Sequence, residues 1–432
     1  MRTEQMTDRK TQPEIRPLDQ YRLTDPEIYT LPNGIRVVQF DAGTQELVRI
    51  ELIFRAGSWF QDQNFTSLAT NLMLREGTLF HSSQQLSDQL DFCGAHLETT
   101  AEKDNAYVTL YTLNKHLPET IPLLEEIVKQ ASFPAGEFSI FAGKQKQMLQ
   151  VNMEKVNFMA RTRFNPLIYG KSHPYGNYLG VEDIDNFDPA GLSGFHKSHY
   201  NAGNCTIMVA GKVDKRLPAM LTEAFGGNDW LDKPAVEYAY EIKPASGSRH
   251  FIPRENALQS AIRIGRLLFD RHHADYRGMK VLNTLFGGYF GSRLMANLRE
   301  DKGYTYGVGS AIIPLQHSGY FFISCEVGSD ATADALKQIE TEMTKLCLET
   351  VPEDELKLVR NYMLGSFLRG IDGPFALADN YRNVMEHGLD NEFLYSMLET
   401  IRTISPSQIQ QLACKYLNPA DMVQLVVGKE IN

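Results

Sequence analysis

Two stretches more than two hundred residues apart read alike, and this repetition constrains the fold of the 432-residue chain more than any other feature. Tyr200-Asn201 leads into the mostly apolar run 206–210 and then Gly211-Lys212; Tyr416-Leu417-Asn418 leads into the mostly apolar run 423–427 and then Gly428-Lys429. From Gly211 to Gly428 is 217 positions. A second anchor, Pro134 followed by Glu137-Phe138, returns as Pro352 followed by Glu355-Leu356, 218 positions on. Two independent anchors that agree to one position mark a tandem duplication. The apolar stripes Ile121, Leu124, Ile127, Val128 and Leu336, Ile339, Met343, Leu346 fall in the same register and read as matching helices. The expected organisation is one domain over 25–225, a Gly-, Pro- and polar-rich linker over 226–250, and a second copy over 251–432.

Each copy mixes strand and helix patterns. Residues 48–54 (VRIELIF) alternate, with Val48, Ile50, Leu52 and Phe54 on one face and Arg49 and Glu51 on the other, which predicts a strand with one face on a core and one nearer water. Residues 106–111 alternate similarly, and helical stripes follow. The fold class expected is α+β, a mostly antiparallel sheet with helices packed on one face, present twice.

Charge narrows the partners. Forty-three Lys and Arg against 53 Asp and Glu give a net charge of -10, so no chain-wide basic footprint for nucleic acid or anionic lipid exists. No apolar run reaches 18 residues, and the polar N-terminus lacks the apolar centre of a secretory signal, so the expectation is no membrane and a cytoplasmic location. Five scattered cysteines offer no disulfide framework and fit a reducing compartment.

The most informative residues lie in three stretches. The first contains 31–38 (LPNGIRVV), Arg55-Ala-Gly-Ser58 and the run from Leu68 to Gly77-Thr78. The second is Leu298-Arg299-Glu300, a glycine turn at Gly303, and Tyr306. The third is 195–204, ending in a tyrosine and an asparagine ahead of an apolar strand. Together they resemble the pitrilysin, insulinase and mitochondrial-processing-peptidase family of zinc metallopeptidases, along nearly the whole chain. The resemblance implies a clam-shell of two like domains. It also implies an inverted zinc motif, H-x-x-E-H, whose first histidine is separated by nine residues from the threonine of the G-T pair. Here those positions hold Leu68, Asn71 and Leu72. An aliphatic side chain offers zinc no lone pair, and a carboxamide takes up no proton at neutral pH. The later helix that carries a further glutamate ligand in the family reads 144–151 (KQKQMLQV) here, without a carboxylate. The chain is therefore expected to bind no metal or cofactor of its own.

The same resemblance assigns Arg299 and Tyr306 to substrate binding, at an active site made by the first domain or by another subunit. A guanidinium and a phenol are both donors suited to a peptide carbonyl and to the oxyanion that forms on it. Taken singly, Arg299 also reads as a cation at a helix C-terminus and Tyr306 as a strand aromatic in a core. Other constellations are weaker. His196 with His199, Cys93 with His96, and His272-His273 lack further ligands and read as surface or hydrogen-bonded histidines. Gly287-Gly288 with Gly291 follows a helical pattern rather than a strand, which fits a turn and not a phosphate loop.

The function these readings imply is a zinc-free, non-catalytic subunit of a heteromeric metallopeptidase. A catalytic subunit of the same family would be its partner, bringing the zinc, and a peptide would be the substrate. The alternative is a non-enzymatic peptide-binding or assembly protein of the same fold. No nucleophile, base and orienting group for independent hydrolysis is legible.

Overall fold

The computed structural model describes residues 23–230 and 237–430; the polar N-terminus read above and residues 231–236 of the linker lie outside them. The first sheet is built from β1 (Glu27–Thr30), β2 (Arg36–Asp41), β3 (Leu47–Phe54), β4 (His96–Ala101), β5 (Ala106–Leu113) and β6 (Cys205–Gly211), in the order β1-β2-β6-β3-β5-β4. Its helices are α1 (Thr66–Met73), α2 (Ser83–Phe92), α3 (Leu117–Lys129), α4 (Ala135–Met153), α5 (Val156–Tyr169), α6 (Val181–Asp185), α7 (Ala190–His199) and α8 (Leu217–Phe225). The second sheet comprises β7 (Arg249–Pro253), β8 (Gln259–Leu268), β9 (Val308–Leu315), β10 (Ser318–Gly328) and β11 (Val423–Gly428), in the order β7-β11-β8-β10-β9. With it come α9 (Tyr276–Asn283), α10 (Thr332–Leu348), α11 (Glu353–Arg369), α12 (Pro374–Met385), α13 (Asn391–Thr403) and α14 (Pro406–Tyr416). Of two π-helical segments, Thr284–Gly288 and Met295–Asp301, the first ends in Gly287-Gly288 of the glycine cluster.

The repeat read from the sequence is a repeat of topology. From β2 onward the first sheet has the strand order of the second, and each has one parallel pair, β2 with β6 and β7 with β11; every other pairing is antiparallel. Gly211 and Gly428 both close their strand at a close approach. A Cβ on Gly211, whose φ is +135°, would sit 2.3 Å from the Leu47 carbonyl oxygen, and one on Gly428 would sit 2.3 Å from the Ser260 hydroxyl. Here only glycine fits, which is why the anchor recurs.

Each sheet has a core on one face. Val48, Ile50, Leu52 and Phe54 meet the helices of the first half, and Ile262, Ile264, Ile323 and Val426 meet those of the second. The opposite faces are covered by exchange. From the second half, α12 lays Ala378 and Tyr381 on Val38, Phe40, Met208 and Ala210 of the first sheet. From the first half, α5 packs Ala160, Phe164 and Ile168 in the region of Ala261, Leu425 and Val427 of the second.

This exchange corrects one sequence expectation. Arg49 and Glu51 do not face water: they are 4% and 2% exposed. Arg49 pairs with Asp379 at 2.8 Å, and Glu51 accepts from Arg382 at 2.5 Å and from the Thr109 hydroxyl at 3.1 Å. The alternation placed them correctly on the second face, but the strand alone does not say which helix covers it or that this helix comes from the other half. Part of the linker also packs: Trp230 donates its indole N–H to the Tyr200 carbonyl at 3.0 Å, and Tyr240 meets Trp59 edge-on at 4.9 Å. All five cysteines are free thiols, and no helix among the described residues is long and apolar enough to cross a membrane.

Candidate functional site

Helix α1 carries the three positions that matter most. It begins behind Phe65, whose φ of +83° is unusual for a side chain of that size; its ring stacks on Phe141 of α4 at 5.6 Å and meets Phe187 edge-on at 5.3 Å. Leu68 packs in an apolar cluster with Phe138 and Leu149 of α4 and with Ile184 and Leu192. Asn71 is fully buried and donates from Nδ2 to the Tyr107 carbonyl oxygen at 3.2 Å, tying α1 to β5. Leu72 is half-buried. The chain then turns at Gly77 (φ +148°), and Thr78 and His81 both bond the Glu126 carboxylate, His81 at 2.8 Å. The G-T pair is thus a structural corner that holds the start of α2 to α3.

Leu68 also lines a cavity of about 830 Å³ between the two halves. The first half supplies Lys103, Asp104 and Tyr107; the second supplies Arg271, Gln316 and Glu386. Tyr107 and Asp104 bind across the junction, and Lys103 binds within the first half. The Tyr107 hydroxyl donates to Glu386 at 2.8 Å, and Asp104 accepts from the Tyr175 hydroxyl at 2.5 Å and from the Gln316 backbone N–H at 3.1 Å. The Lys103 ammonium donates to the carbonyls of Pro174 and Asn177 at 3.1 and 3.0 Å. Burial dominates the titration of all three: it lifts Glu386 to about 7, raises Asp104, and draws Lys103 down to about 8.

Arg299 and Tyr306 lie elsewhere. Arg299 is in the last turn of the Met295–Asp301 segment, its guanidinium 4.6 Å from the centre of the exposed Phe290 ring. Tyr306 is 94% exposed, just ahead of β9, so it fills no core. Neither lines the cavity that Leu68 borders. The structure therefore keeps the two groups apart from this chain's own degenerate motif, with Arg299 half-buried and Tyr306 exposed on the second half.

The comparisons with known proteins bear on both halves. A model described as "Insulinase (Peptidase family M16)" matches residues 36–167, and one described as "Peptidase M16 inactive domain" matches residues 186–363. The chain belongs to peptidase family M16. Similar to it are an uncharacterized zinc protease of Rickettsia felis, 24% identical over 79% of this chain and 82% of that protein, and one of Bacillus subtilis, 21% identical over 89% and 94%. Among solved structures, an M16 inactive domain from Pseudomonas fluorescens aligns with a TM-score of 0.85 at 23% identity, covering 94% of this chain and 99% of that one. A protease from Helicobacter pylori aligns equally well, at 17% identity over 94% and 100%. These structures share the M16 fold.

Within the M16 family this chain lacks the catalytic motif, and the geometry shows why zinc would not fit. The space beside α1 is occupied by the side chains of Leu68 and Leu149, and Asn71 is committed to a backbone carbonyl. Among the described residues no three His, Cys, Asp or Glu side chains gather in a group able to hold a metal ion. The isolated histidines have ordinary partners. His196 bonds the Val128 carbonyl at 2.7 Å, His199 packs on Phe195 at 4.4 Å, His272 bonds the His387 carbonyl at 2.7 Å, and His273 stacks on Phe269 at 3.9 Å. His96 lies beside Tyr111, and Cys93 is buried in the core. At the glycine cluster, a Cβ on Gly287 would strike Ser310 of β9 at 2.6 Å, so close packing against a strand explains that residue.

Sequence reading missed the cavity's polar wall. Lys103 and Asp104 lie in the four-residue turn between β4 and β5, where charged residues ordinarily face water. Glu386 follows α12 directly and meets Tyr107 only because α12 crosses to the other half. A charged pair such as Arg49 and Glu51 inside an otherwise apolar strand was the one local signal of this arrangement.

Proposed function

We propose that this chain is the zinc-free member of a two-chain M16 peptidase. It presents Arg299 and Tyr306 to a peptide held at the zinc of a partner with an intact H-x-x-E-H motif. The observation that carries this reading is an asymmetry. The metal positions are converted to aliphatic packing around Leu68 and Leu149, whereas Arg299 is half-buried and Tyr306 exposed, and neither makes a hydrogen bond or ion pair to a described residue. Arg299 would donate two N–H groups, and Tyr306 its O–H, to the peptide carbonyl oxygen as negative charge develops on it. The five free thiols support a reducing, cytoplasmic setting.

The test is co-expression with an M16 chain that retains the motif, followed by a peptide-cleavage assay. Arg299→Ala is expected to lower turnover by about 10²- to 10³-fold, the loss of one oxyanion donor. Unchanged cleavage by that variant overturns the shared-site reading. The polar cavity between the halves favours a second reading, a peptide-binding or assembly protein without chemistry. A complex that binds peptide but stays proteolytically silent would decide for it.

A further inference from the structure

The inner face of the second sheet holds a buried cation that makes no ion pair with a described residue. Along β8, Ile262 and Ile264 enter the second core, while Ala261 and Arg263 point the other way, toward α5. Arg263 is 9% exposed. Its guanidinium lies 4.6 Å from the centre of the Phe322 ring and makes no hydrogen bond or ion pair with a described residue. Facing it from α5 is Arg161, which packs on the Phe158 ring at 5.2 Å and is likewise without a polar partner among the described residues. Burial above all, with the charge of Arg161 adding to it and Tyr320 and Glu326 opposing it, draws the Arg263 guanidinium down to about 10. The carboxylate beside them, Glu326, is hydrogen-bonded to the Asn157 side chain and forms no ion pair with either arginine.

Two like charges side by side repel, the more so where water is excluded around Arg263, and Glu326 offsets this only at a distance, without an ion pair. Each guanidinium lies against a phenylalanine ring, and its N–H groups have no partner among the described residues. Both line a cleft of about 650 Å³ between the start of α5 and the second sheet. Arg161 also lines the central cavity, so the cleft adjoins it. A planar fork of donors with free edges is the arrangement that suits a carboxylate.

We propose that Arg161 and Arg263 form a carboxylate-binding subsite beside the central cavity, which takes an acidic side chain or the C-terminal carboxylate of a bound peptide. The proposal rests on the peptide-binding part of the function above but needs neither a partner nor its zinc.

Fluorescence anisotropy on the whole chain tests it, with labelled peptides that differ only at one Glu or Gln and that end in a free or amidated carboxyl group. Wild type is expected to bind the peptides with a carboxylate about 10- to 100-fold more tightly, as charge-assisted hydrogen bonds imply, and less so in 0.5 M salt. The peptide that carries the preference, acidic side chain or free C-terminus, identifies the source of the carboxylate. R161Q and R263Q should bind acidic and neutral peptides alike; R161Q, on an exposed helix face, keeps the test valid should the buried R263Q fail to fold. Equal binding of all peptides by wild type, or a preference that survives both variants, overturns the subsite. If no peptide binds, the subsite and the peptide-binding reading fall together. If Arg299→Ala leaves cleavage unchanged while the carboxylate preference stands, only the shared-site reading falls.

Discussion

A single amide shows how thoroughly the metal position has been rebuilt. Where the family's inverted motif places its glutamate, Asn71 is fully buried and its side chain is used to hold α1 against β5 through the Tyr107 carbonyl. Asn71→Asp keeps the shape but replaces a donor with an anion facing a carbonyl oxygen in an apolar setting. We expect a loss of about 2–4 kcal/mol at pH 7, read from urea denaturation, partly recovered at low pH where the carboxyl is protonated. The substitutions at Leu68, Asn71 and Leu72 were legible from spacing alone, since the G-T pair fixed the register. That Leu68 and Leu149 share one apolar cluster was not legible, because the two residues are 81 positions apart and meet only through the packing of α4 on α1. The open position of Tyr306 was equally hidden: aromatic residues ahead of a strand are usually covered, and its 94% exposure depends on the turn that precedes β9.

Among the elements, β3 and α12 carry the lesson. The period of β3 gave the right strand and the right faces, yet the face with Arg49 and Glu51 is closed by a helix more than three hundred residues downstream. Glu51 is 2% exposed, so removing its partner leaves a buried anion. Arg382→Ala should cost about 3–5 kcal/mol in chemical denaturation, while the pair Glu51→Gln with Arg382→Met should cost markedly less than Arg382→Ala alone. Equal losses in the two variants would mean that the ion pair is solvated in solution. The hydrophobic pattern of α12 reflects the same role: Ala378 and Tyr381 face the foreign sheet, and Val384 faces the core of its own half.

For the molecule as a whole, the junction between the halves contains a titrating group. Glu386 meets Tyr107, Arg382, Glu102 and Glu51, and burial lifts its carboxyl to about 7. An acid with a raised folded pKa binds its proton more firmly in the native state than in the unfolded one. Its contribution to stability is therefore complete below about 4.5 and is lost as pH rises through about 7. Glu386→Gln keeps an acceptor for Tyr107 without the charge. It should unfold at higher urea than wild type at pH 8, by on the order of 2 kcal/mol, with no such gap at pH 4.5. A gap independent of pH would place the effect elsewhere. At this scale the sequence was most informative: the 217-position offset announced two copies, and the two sheets repeat the same strand order with the same single parallel pair.

The exchanged helices give that repetition a history. Met208 and Ala210 of β6 receive α12, and their counterparts 217 positions later, Leu425 and Val427 of β11, lie where α5 packs. Each half lends the other an equivalent helix at an equivalent place, as in a two-fold symmetric dimer whose protomers have swapped an arm. The chain reads as such a dimer fused into one polypeptide. Either half produced alone should then expose an apolar sheet face and stay soluble only when its complement is supplied.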